Sequence, residues 1–329
     1  MPAKINIIVI VGPTASGKSD LAIRLAKKVR GEIISADSRQ VYVGLDIGTG
    51  KVPRDRIKNK ELRIKEFYSG GVRHHLLDVA SPKRQFSVSR YKKLAEKAIR
   101  DIVKRGKVPI ICGGTGLYID TLLGKMPIPE VPPNWELRQK LEKKSTEELF
   151  AQLKKLDPSR AKTIDPSNPR RLIRALEIVL TTKKPVPPLA PRRYPLAPSY
   201  TVLWLGINPG KEILAKRIEK RLDQRLKQGM IKEVSKLHQS GVSCERLESF
   251  GLEYRWVAQY LQKKIPPTEM RGGLLRNIVR YSKRQMTWFK RNPEIQWISA
   301  KGGSAGKNQN EALRLAGKFI RTGSADLSE

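Results

Sequence analysis

The hydrophobic and polar positions along the chain follow two patterns, continuous apolar runs and apolar residues at helical spacing. Residues 5–11 (INIIVIV) form an unbroken β-branched run, which is typical of a strand buried on both faces of a parallel sheet. Further strands are predicted at 32–36, 108–112 and 200–207, and helical spacing of Leu and Val predicts a helix over 18–29. Strands that alternate with helices and glycine turns indicate an α/β fold with a mostly parallel sheet and flanking helices.

The middle of the chain has a different pattern. Proline is frequent at 126–133 and at 185–198, and residues 135–181 between them show helical periodicity with little strand signal. This organisation predicts a helical insertion domain with proline-rich connectors. The carboxyl-terminal residues turn to Gly, Ser, Asn and Lys, a composition typical of a loose terminus. The expected division has three parts: an α/β core (1–126 and 199–300), the insertion (127–198) and a flexible tail (301–329).

A glycine-rich motif lies between the first strand and the first helix. Residues 12–19 read G-x-x-x-x-G-K-S in the strand-to-helix context that a phosphate-binding P-loop requires. The backbone N–H groups of such a loop and the N-terminus of its helix face a phosphate chain. Lys18 would neutralise phosphate oxygens, and the Ser19 hydroxyl would hold Mg²⁺, the expected cofactor. The phosphate-binding candidates are Gly12, Pro13, Thr14, Ala15, Ser16, Gly17, Lys18 and Ser19.

A carboxylate follows the second predicted strand. Asp37 stands at the carboxyl end of this strand, where ligands bind in open α/β sheets. Its side chain could cap the next turn, hold a metal ion through water, or act as a general base. The residues alone leave these three roles open.

The charge balance indicates the kind of partner. The 329 residues include 66 Lys+Arg and 31 Asp+Glu, a formal net charge of +35. Because so large a charge repels itself in a compact chain, a polyanion is the expected partner, nucleic acid before an anionic membrane. No apolar stretch approaches the roughly 20 residues that span a bilayer. With two cysteines and no targeting pattern at the amino terminus, we expect a cytoplasmic protein without a membrane partner.

Seven sequence blocks in one order resemble a known family. They are GPTASGKS at 12–19, ADSRQVY at 36–42, LDIGTGK at 45–51, HHLLD at 74–78, GGTGLY at 113–118, PRRLIRALE at 169–177 and KRQMTWFK at 283–290. Together, over about residues 5–298, they resemble the tRNA dimethylallyltransferases, P-loop isopentenyltransferases that modify the adenosine on the 3′ side of the anticodon. A further stretch, outside these seven blocks, departs from the family pattern. Where the family usually has Gly-Tyr-Arg, this chain has Glu253-Tyr254-Arg255.

The resemblance implies a prenyl transfer rather than a phosphoryl transfer. The P-loop would bind the diphosphate of dimethylallyl diphosphate, and the allyl group would pass to the exocyclic amine of adenine. Thr14 and Lys18 would stabilise the departing diphosphate, and Asp37 would be the general base toward the amine. Arg217 and Arg221 match diphosphate-binding positions of the family, although their i, i+4 spacing suits a solvated basic face equally well.

The same resemblance implies the anticodon stem-loop of tRNA as partner, with the target base extruded from its stack. A helical triplet of arginines at 170–174, by itself usually a solvated face, matches a tRNA-binding block of the family. Residues 271–291 contain basic and aromatic side chains and no acidic one, a composition that suits nucleic-acid contact. We expect a monomer. The expected tRNA-binding residues are Asp37, Ser38, Arg39, Gln40, Thr115, Arg138, Arg170, Arg171, Arg174, Arg255, Arg280, Lys283 and Arg284.

Three other functions use similar residues. A nucleoside or nucleotide kinase shares the P-loop but leaves the basic insertion unexplained. An adenylate isopentenyltransferase acts on free AMP or ATP, which needs no charge of +35. A non-catalytic RNA-binding P-loop module would not depend on Asp37. These alternatives differ in their products, which can be weighed.

Overall fold

The computed structural model describes residues 4–55, 66–126, 129, 131–186, 200–299 and 305–325. In this part of the chain seven strands form one sheet in the order β3-β4-β2-β5-β1-β6-β7, parallel except between β3 and β4. The strands are β1 (Ile5–Val11), β2 (Gly31–Ser35), β3 (Phe67–Ser69), β4 (Val72–His75), β5 (Val108–Gly113), β6 (Tyr200–Asn208) and β7 (Gln296–Ser299).

Helices make up most of the remaining described chain. They are α1 (Lys18–Val29), α2 (Val88–Lys104), α3 (Gly116–Leu122), α4 (Trp135–Glu142), α5 (Thr146–Leu156), α6 (Pro158–Ala161), α7 (Pro169–Thr182), α8 (Lys211–Lys227), α9 (Met230–Gln239), α10 (Cys244–Ser249), α11 (Leu252–Leu261), α12 (Pro267–Phe289) and α13 (Ala305–Ala325). Across the described residues, none of these helices combines the length and the apolar character that a membrane crossing requires.

Strand β1 is central and is buried on both faces, as its unbroken apolar run predicts. It pairs in parallel with β5 on one side and with β6 on the other. Ile7 and Val9 face a core formed with α2, α3, α8, α9, α11 and α12, whereas Ile8 and Ile10 face a second core formed with α1 and α13. Helices therefore cover both faces of the sheet. The predicted α/β fold with a mostly parallel sheet and flanking helices is confirmed.

The chain divides into two compact units. One unit contains Met1–Leu123 and Leu196–Glu329, and the other is Gly124–Pro195, which starts and ends three residues before the insertion expected at 127–198. In the second unit, α5 begins with a capping box of Ser145 and Glu148, and its Leu149 and Leu153 are buried in the unit's own apolar core. Of the expected connectors, residues 127, 128, 130 and 187–198 lie outside the described residues.

The expectation of a flexible tail over 301–329 is wrong for residues 305–325, which form α13. Ala312 and Ala316 are fully buried in the core that α13 shares with α1. These alanines are one helical turn apart, and their small side chains let α13 pack closely on α1. Leu315 and Phe319 extend the same apolar stripe. The prediction of a flexible tail relied on the polar composition near residue 300 and overlooked the helical spacing of these apolar residues. Residues 301–304 and 326–329 lie outside the described residues.

Candidate active site

The P-loop, residues 12–19, connects β1 to α1. Gly17 is the N-cap of α1 and has a φ of 92°, a left-handed conformation that glycine adopts without strain. Because glycine has no side chain, it does not cap the N–H groups of the helix. Ala15 is also left-handed, with a φ of 61°. The first backbone N–H groups of α1 therefore have no capping side chain, and together with the helix dipole they form a site for an anion.

A cavity of about 550 Å³ opens in front of the P-loop. The Nζ of Lys18 donates a hydrogen bond to the carbonyl of Pro13 at 3.2 Å. Burial lowers the pKa of Lys18, while the neighbouring Cys112 and Asp37 act in the opposite direction. The side chains that line the cavity are mainly cationic and polar and include Lys18, Ser19, Arg217, Lys220, Arg221 and Gln224.

Helix α8 presents a row of arginines at four-residue spacing to this cavity. Arg217 Nη1 lies 3.5 Å from the carbonyl oxygen of Ser16, and Arg221 Nη2 donates to the carbonyl of Gly50 at 3.1 Å. Both arginines line the cavity and are half-buried. Burial and the next arginine in the row, Arg225, lower the pKa of Arg221 to about 10. A diphosphate in the cavity would relieve this crowding of positive charge.

Asp37 follows β2 at the same edge of the sheet. Its Oδ1 accepts the backbone N–H of Arg39 at 2.9 Å and that of Gln40 at 3.3 Å. Within the described residues its Oδ2 makes no hydrogen bond. The capping role that the sequence left open is thus present in the structure, and the second oxygen is available to a ligand.

The loop after β5 packs directly on the loop that carries Asp37. A Cβ at Gly113 would lie 2.1 Å from the carbonyl oxygen of Ala36, so only glycine fits there. Thr115 donates its N–H to Ala36 at 3.0 Å, and its Oγ1 accepts the N–H of Ser38 at 3.1 Å. Because β5 lies between β1 and β2, Thr115 is placed between the P-loop and Asp37.

Helix α12 connects these loops through a buried amide. Gln285 Oε1 accepts the N–H of Thr14 at 2.8 Å, and its Nε2 donates to the carbonyl of Gly114 at 3.0 Å. On the same helix, Trp288 Nε1 donates to Asp120 Oδ2 at 2.8 Å, so this tryptophan packs on α3. The P-loop and the loop after β5 are therefore held by α12.

The expected tRNA-binding residues of the first unit occupy two kinds of environment. Arg39 Nη1 donates to Glu253 at 2.8 Å, and the Nε2 of Gln40 donates to the carbonyl of Thr49 at 3.3 Å. Arg255 is exposed, and its Nε donates to a carbonyl of α10 at 3.2 Å. On α12 the three expected cations are all exposed: Arg280, Lys283 and Arg284.

The insertion shows the same contrast. Glu177 is fully buried, accepts two hydrogen bonds at 2.8 Å from Arg138 and accepts a third from Arg174 at 2.6 Å. Burial acts to raise the pKa of Glu177, but these hydrogen bonds outweigh it and lower the pKa. Arg170 and Arg171 are exposed on the first turn of the same helix, α7. The predicted arginine triplet is therefore split between the surface and a buried ion pair.

Sequence reasoning missed two residues of this site. Arg225 continues the row of α8, and its Nη1 donates to Gly48 at 3.1 Å and to Glu253 at 3.0 Å. Its spacing from Arg221 was a usable signal. Gln285 lies in the KRQMTWFK block, but its contacts with the two loops depend on tertiary packing.

The site suits a Mg²⁺ ion that is held mainly by its ligand. Ser19 lines the cavity at the first turn of α1. The described residues contain no group of three or more His, Cys, Asp or Glu side chains that would hold a metal by themselves. Mg²⁺ typically keeps several waters and binds through one or two protein oxygens plus substrate phosphates. A P-loop serine beside this cation-lined cavity is consistent with that preference.

The fold and the site define a P-loop α/β protein with a cation-lined cavity beside a carboxylate. Comparison with known proteins narrows this class. The IPP transferase family matches residues 40–292, and the isopentenyl transferase family matches residues 5–66. The chain therefore belongs to the IPP transferase family, and the resemblance found in the sequence is confirmed.

Relatives and solved structures agree with this assignment. The chain is 41% identical to a tRNA dimethylallyltransferase of Acetivibrio thermocellus, over 89% of this chain and 91% of the relative. It is 40% identical to that of Anoxybacillus flavithermus, over 95% and 97%. A tRNA isopentenylpyrophosphate transferase structure from Bacillus halodurans matches with a TM-score of 0.69 and 33% identity, over 99% and 100%. A eukaryotic dimethylallyltransferase acting on tRNA matches with a TM-score of 0.74 and 26% identity, over 97% and 80%.

Proposed function

We propose that the protein transfers the dimethylallyl group of dimethylallyl diphosphate to the exocyclic amine of the adenosine 3′-adjacent to the anticodon in tRNA. The observation that carries this proposal is the order of the loops at the carboxyl edge of the sheet. The P-loop after β1, Thr115 after β5 and Asp37 after β2 follow one another along this edge. A diphosphate cavity and a free carboxylate oxygen thereby flank a position where carbon and nitrogen can meet.

On the donor side, the bond between the allyl carbon and the bridging oxygen breaks, and the electron pair stays on the diphosphate. The proposed diphosphate ligands are residues 12–19 of the P-loop with Arg217 and Arg221. The N–H groups of the loop, Lys18 and Thr14 would stabilise the charge that grows on the departing oxygen. Because these donors are fixed before the reaction, they stabilise the transition state without reorganising.

Mg²⁺ is the proposed cofactor. Ser19 would hold it, together with diphosphate oxygens and water. When bound, the ion would neutralise part of the negative charge of the diphosphate.

On the acceptor side, a bond forms between the adenine amine and the allyl carbon. The amine is a weak nucleophile because its lone pair is delocalised into the ring. Asp37 Oδ2 would accept a hydrogen bond from the amine, orient it, and take up the proton that it loses. The bonds that Oδ1 makes to Arg39 and Gln40 hold the carboxylate in place for this role.

The tRNA partner would be held by its anticodon stem-loop. Exposed cations on α7, α11 and α12 would contact phosphates, while Ser38, Thr115 and Gln40 would line the path of the extruded base. Arg138, Arg174 and Arg39 are engaged in ion pairs, so their proposed role is to shape the surface near the RNA. The exposed cations are Arg170, Arg171, Arg255, Arg280, Lys283 and Arg284.

The decisive experiment weighs the products. The protein is incubated with Mg²⁺ and dimethylallyl diphosphate, with either unmodified tRNA or AMP as acceptor, and each acceptor is then analysed by mass spectrometry. Mass gain on the tRNA alone supports the proposal. Gain on AMP alone indicates an adenylate isopentenyltransferase, and no gain on either contradicts prenyl transfer. A phosphorylated nucleoside in a parallel reaction with ATP would indicate a kinase.

Two variants of Asp37 distinguish its structural role as a cap from its proposed role as a general base. Asp37→Asn keeps an oxygen for the two backbone N–H groups, whereas Asp37→Ala removes it. Loss of a general base lowers the rate by about 10²- to 10⁴-fold, so we expect both variants to lose transfer while tRNA affinity is retained. An Asn variant with wild-type kcat would show that Asp37 only caps its turn.

We further propose that the protein is a monomer and acts in the cytoplasm. Its two cysteines are free thiols, which suits a reducing compartment. Analytical ultracentrifugation with and without tRNA tests the monomer, and fractionation of cells tests the compartment.

A further inference from the structure

A buried carboxylate outside the proposed catalytic groups connects the two sides of the site. Glu253 is 3% exposed and lies in the first turn of α11, where the helix dipole favours a negative charge. Its Oε2 accepts from Arg39 Nη1 at 2.8 Å, and its Oε1 accepts from Arg225 Nη1 at 3.0 Å. Each oxygen thus holds one guanidinium.

The first of these arginines belongs to the loop of Asp37. The backbone N–H of Arg39 is bound to Asp37 Oδ1, and its guanidinium lies 5.5 Å from the centre of the Tyr281 ring. Burial alone would lower the pKa of Arg39, but Glu253 and, more weakly, Asp37 raise it. The cation is therefore attracted by two carboxylates, and it is paired with Glu253.

The second arginine lies on α8 one helical turn after Arg221, which lines the diphosphate cavity. Arg225 is 6% exposed and donates to the carbonyl of Gly48, while Arg221 donates to the carbonyl of Gly50 in the same loop. A buried guanidinium without a carboxylate would be strongly unfavourable next to Arg221. Glu253 thus fixes the loop of residues 48–50 as well as the loop of Asp37.

We propose that Glu253 is a positioning residue for the transfer reaction. It holds Arg39 away from Asp37, so that the Oδ2 of Asp37 remains available to the acceptor amine, and it anchors Arg225 against the cavity loop. This inference rests on the proposed function. It does not follow from family membership, because the family pattern usually has glycine at this position.

The test uses Glu253→Gln, which keeps the shape of the side chain and removes its charge. Without its carboxylate partner, Arg39 is expected to pair with Asp37. Since small displacements of reacting groups reduce rates strongly, kcat should fall about 10- to 100-fold while KM for dimethylallyl diphosphate and the Kd for tRNA change by less than about threefold. Glu253→Asp, which keeps the charge, should recover part of kcat. It also serves as the test variant if Glu253→Gln unfolds.

A double variant distinguishes positioning from a general loss of structure. In Glu253→Gln/Arg39→Gln the competing cation is gone, so the loss of kcat should be smaller than the product of the two single losses. Three results would each overturn the proposal. The first is a loss of kcat in the double variant that equals the product of the two single losses, and the second is a wild-type kcat in Glu253→Gln. The third is a fall in kcat that equals the unfolded fraction of Glu253→Gln. The matched control is Glu248→Gln on α10, whose carboxylate lies 3.6 Å from Lys264 at the surface. Its kcat should equal that of the wild type.

The wild-type reaction keeps the two proposals apart. If the wild type gives no prenylated tRNA, the proposed function fails. If the wild type does modify tRNA but Glu253→Gln keeps its kcat, only the positioning role fails.

Discussion

Two buried glutamates organise arginines in two different regions of the molecule. Glu177 in the insertion binds Arg138 and Arg174, and Glu253 in the first unit binds Arg39 and Arg225. The local chemistry is the same, one carboxylate between two guanidinium groups. The surroundings differ, because the Glu253 network is in direct contact with the proposed catalytic loop.

The surroundings of Glu177 belong to the framework of the insertion. Its Oε1 also accepts the N–H of Asn134, and Arg174 donates to the carbonyl of Val131 at 3.0 Å. The network therefore connects α7 to the start of α4 and to the chain before it. From this contrast we learn that an arginine at a tRNA-binding position of the family can be part of the framework, so that exposure has to be known before a role is assigned.

The largest expected effect comes from breaking the Glu177 network. Glu177→Ala leaves two partly buried guanidinium groups without a carboxylate partner. Removing one member of a buried ion pair costs about 3–5 kcal/mol. Since the arginine side chains are 22% and 29% exposed, we expect a smaller loss of stability, about 2–3 kcal/mol. Hydrogen exchange of α7 measured by mass spectrometry reports this loss.

Two observations serve as controls for that experiment. Glu142→Ala removes an exposed glutamate from the end of α4 and should change stability by less than about 0.5 kcal/mol. In the folded protein, kcat should be unaffected by Glu177→Ala, in contrast to Glu253→Gln. Equal losses of kcat in both variants would show that the two networks are not functionally different.

A smaller effect is expected from the exposed cations. Replacing Arg280, Lys283 and Arg284 by Gln should flatten the salt dependence of tRNA affinity. Each lost phosphate contact lowers the slope of log K against log salt by about 0.7–0.9, so the sum is about 2–3. Filter binding between 50 and 200 mM salt, roughly the range in which such slopes are measured, checks this.

Arg271 on the same helix is the matched control. It donates to Asp223 at 2.8 Å and to Glu219 at 3.2 Å, so its charge is already neutralised. Arg271→Gln should leave the slope unchanged. If both variants flatten the slope equally, net charge rather than exposure governs tRNA affinity.

The sequence was sufficient to predict those parts of the fold and the site that depend on local pattern and on strand topology. The run at 5–11, the P-loop and the position of Asp37 at a strand end required only burial patterns and the rule that ligands bind at the carboxyl ends of parallel strands. The family resemblance was similarly visible, because its seven blocks are contiguous in sequence. These features place the site on the sheet.

The sequence was insufficient where side chains distant in the chain meet. Glu253 and Arg39 are 214 positions apart, and Gln285 and Thr14 are 271 apart. No spacing rule indicates such pairs, since they depend on how helices pack on the sheet. Short strands such as β3 and β7 gave no period either, because three or four residues are too few to show one.

The smallest expected effect is a dependence on pH that belongs to the Glu177 network. The hydrogen bonds from Arg138 and Arg174 lower the pKa of Glu177 despite burial. A carboxyl whose pKa is lower in the folded than in the unfolded state stabilises the fold above the unfolded pKa, about 4.3, and this stabilisation is lost as the pH falls. The stability difference between the wild type and Glu177→Gln should therefore be complete at neutral pH and decrease below about pH 4.3. Urea unfolding of the two proteins at several pH values measures it. A difference that stays constant down to pH 3, roughly one unit below that value, would show that the carboxylate charge does not hold the arginines.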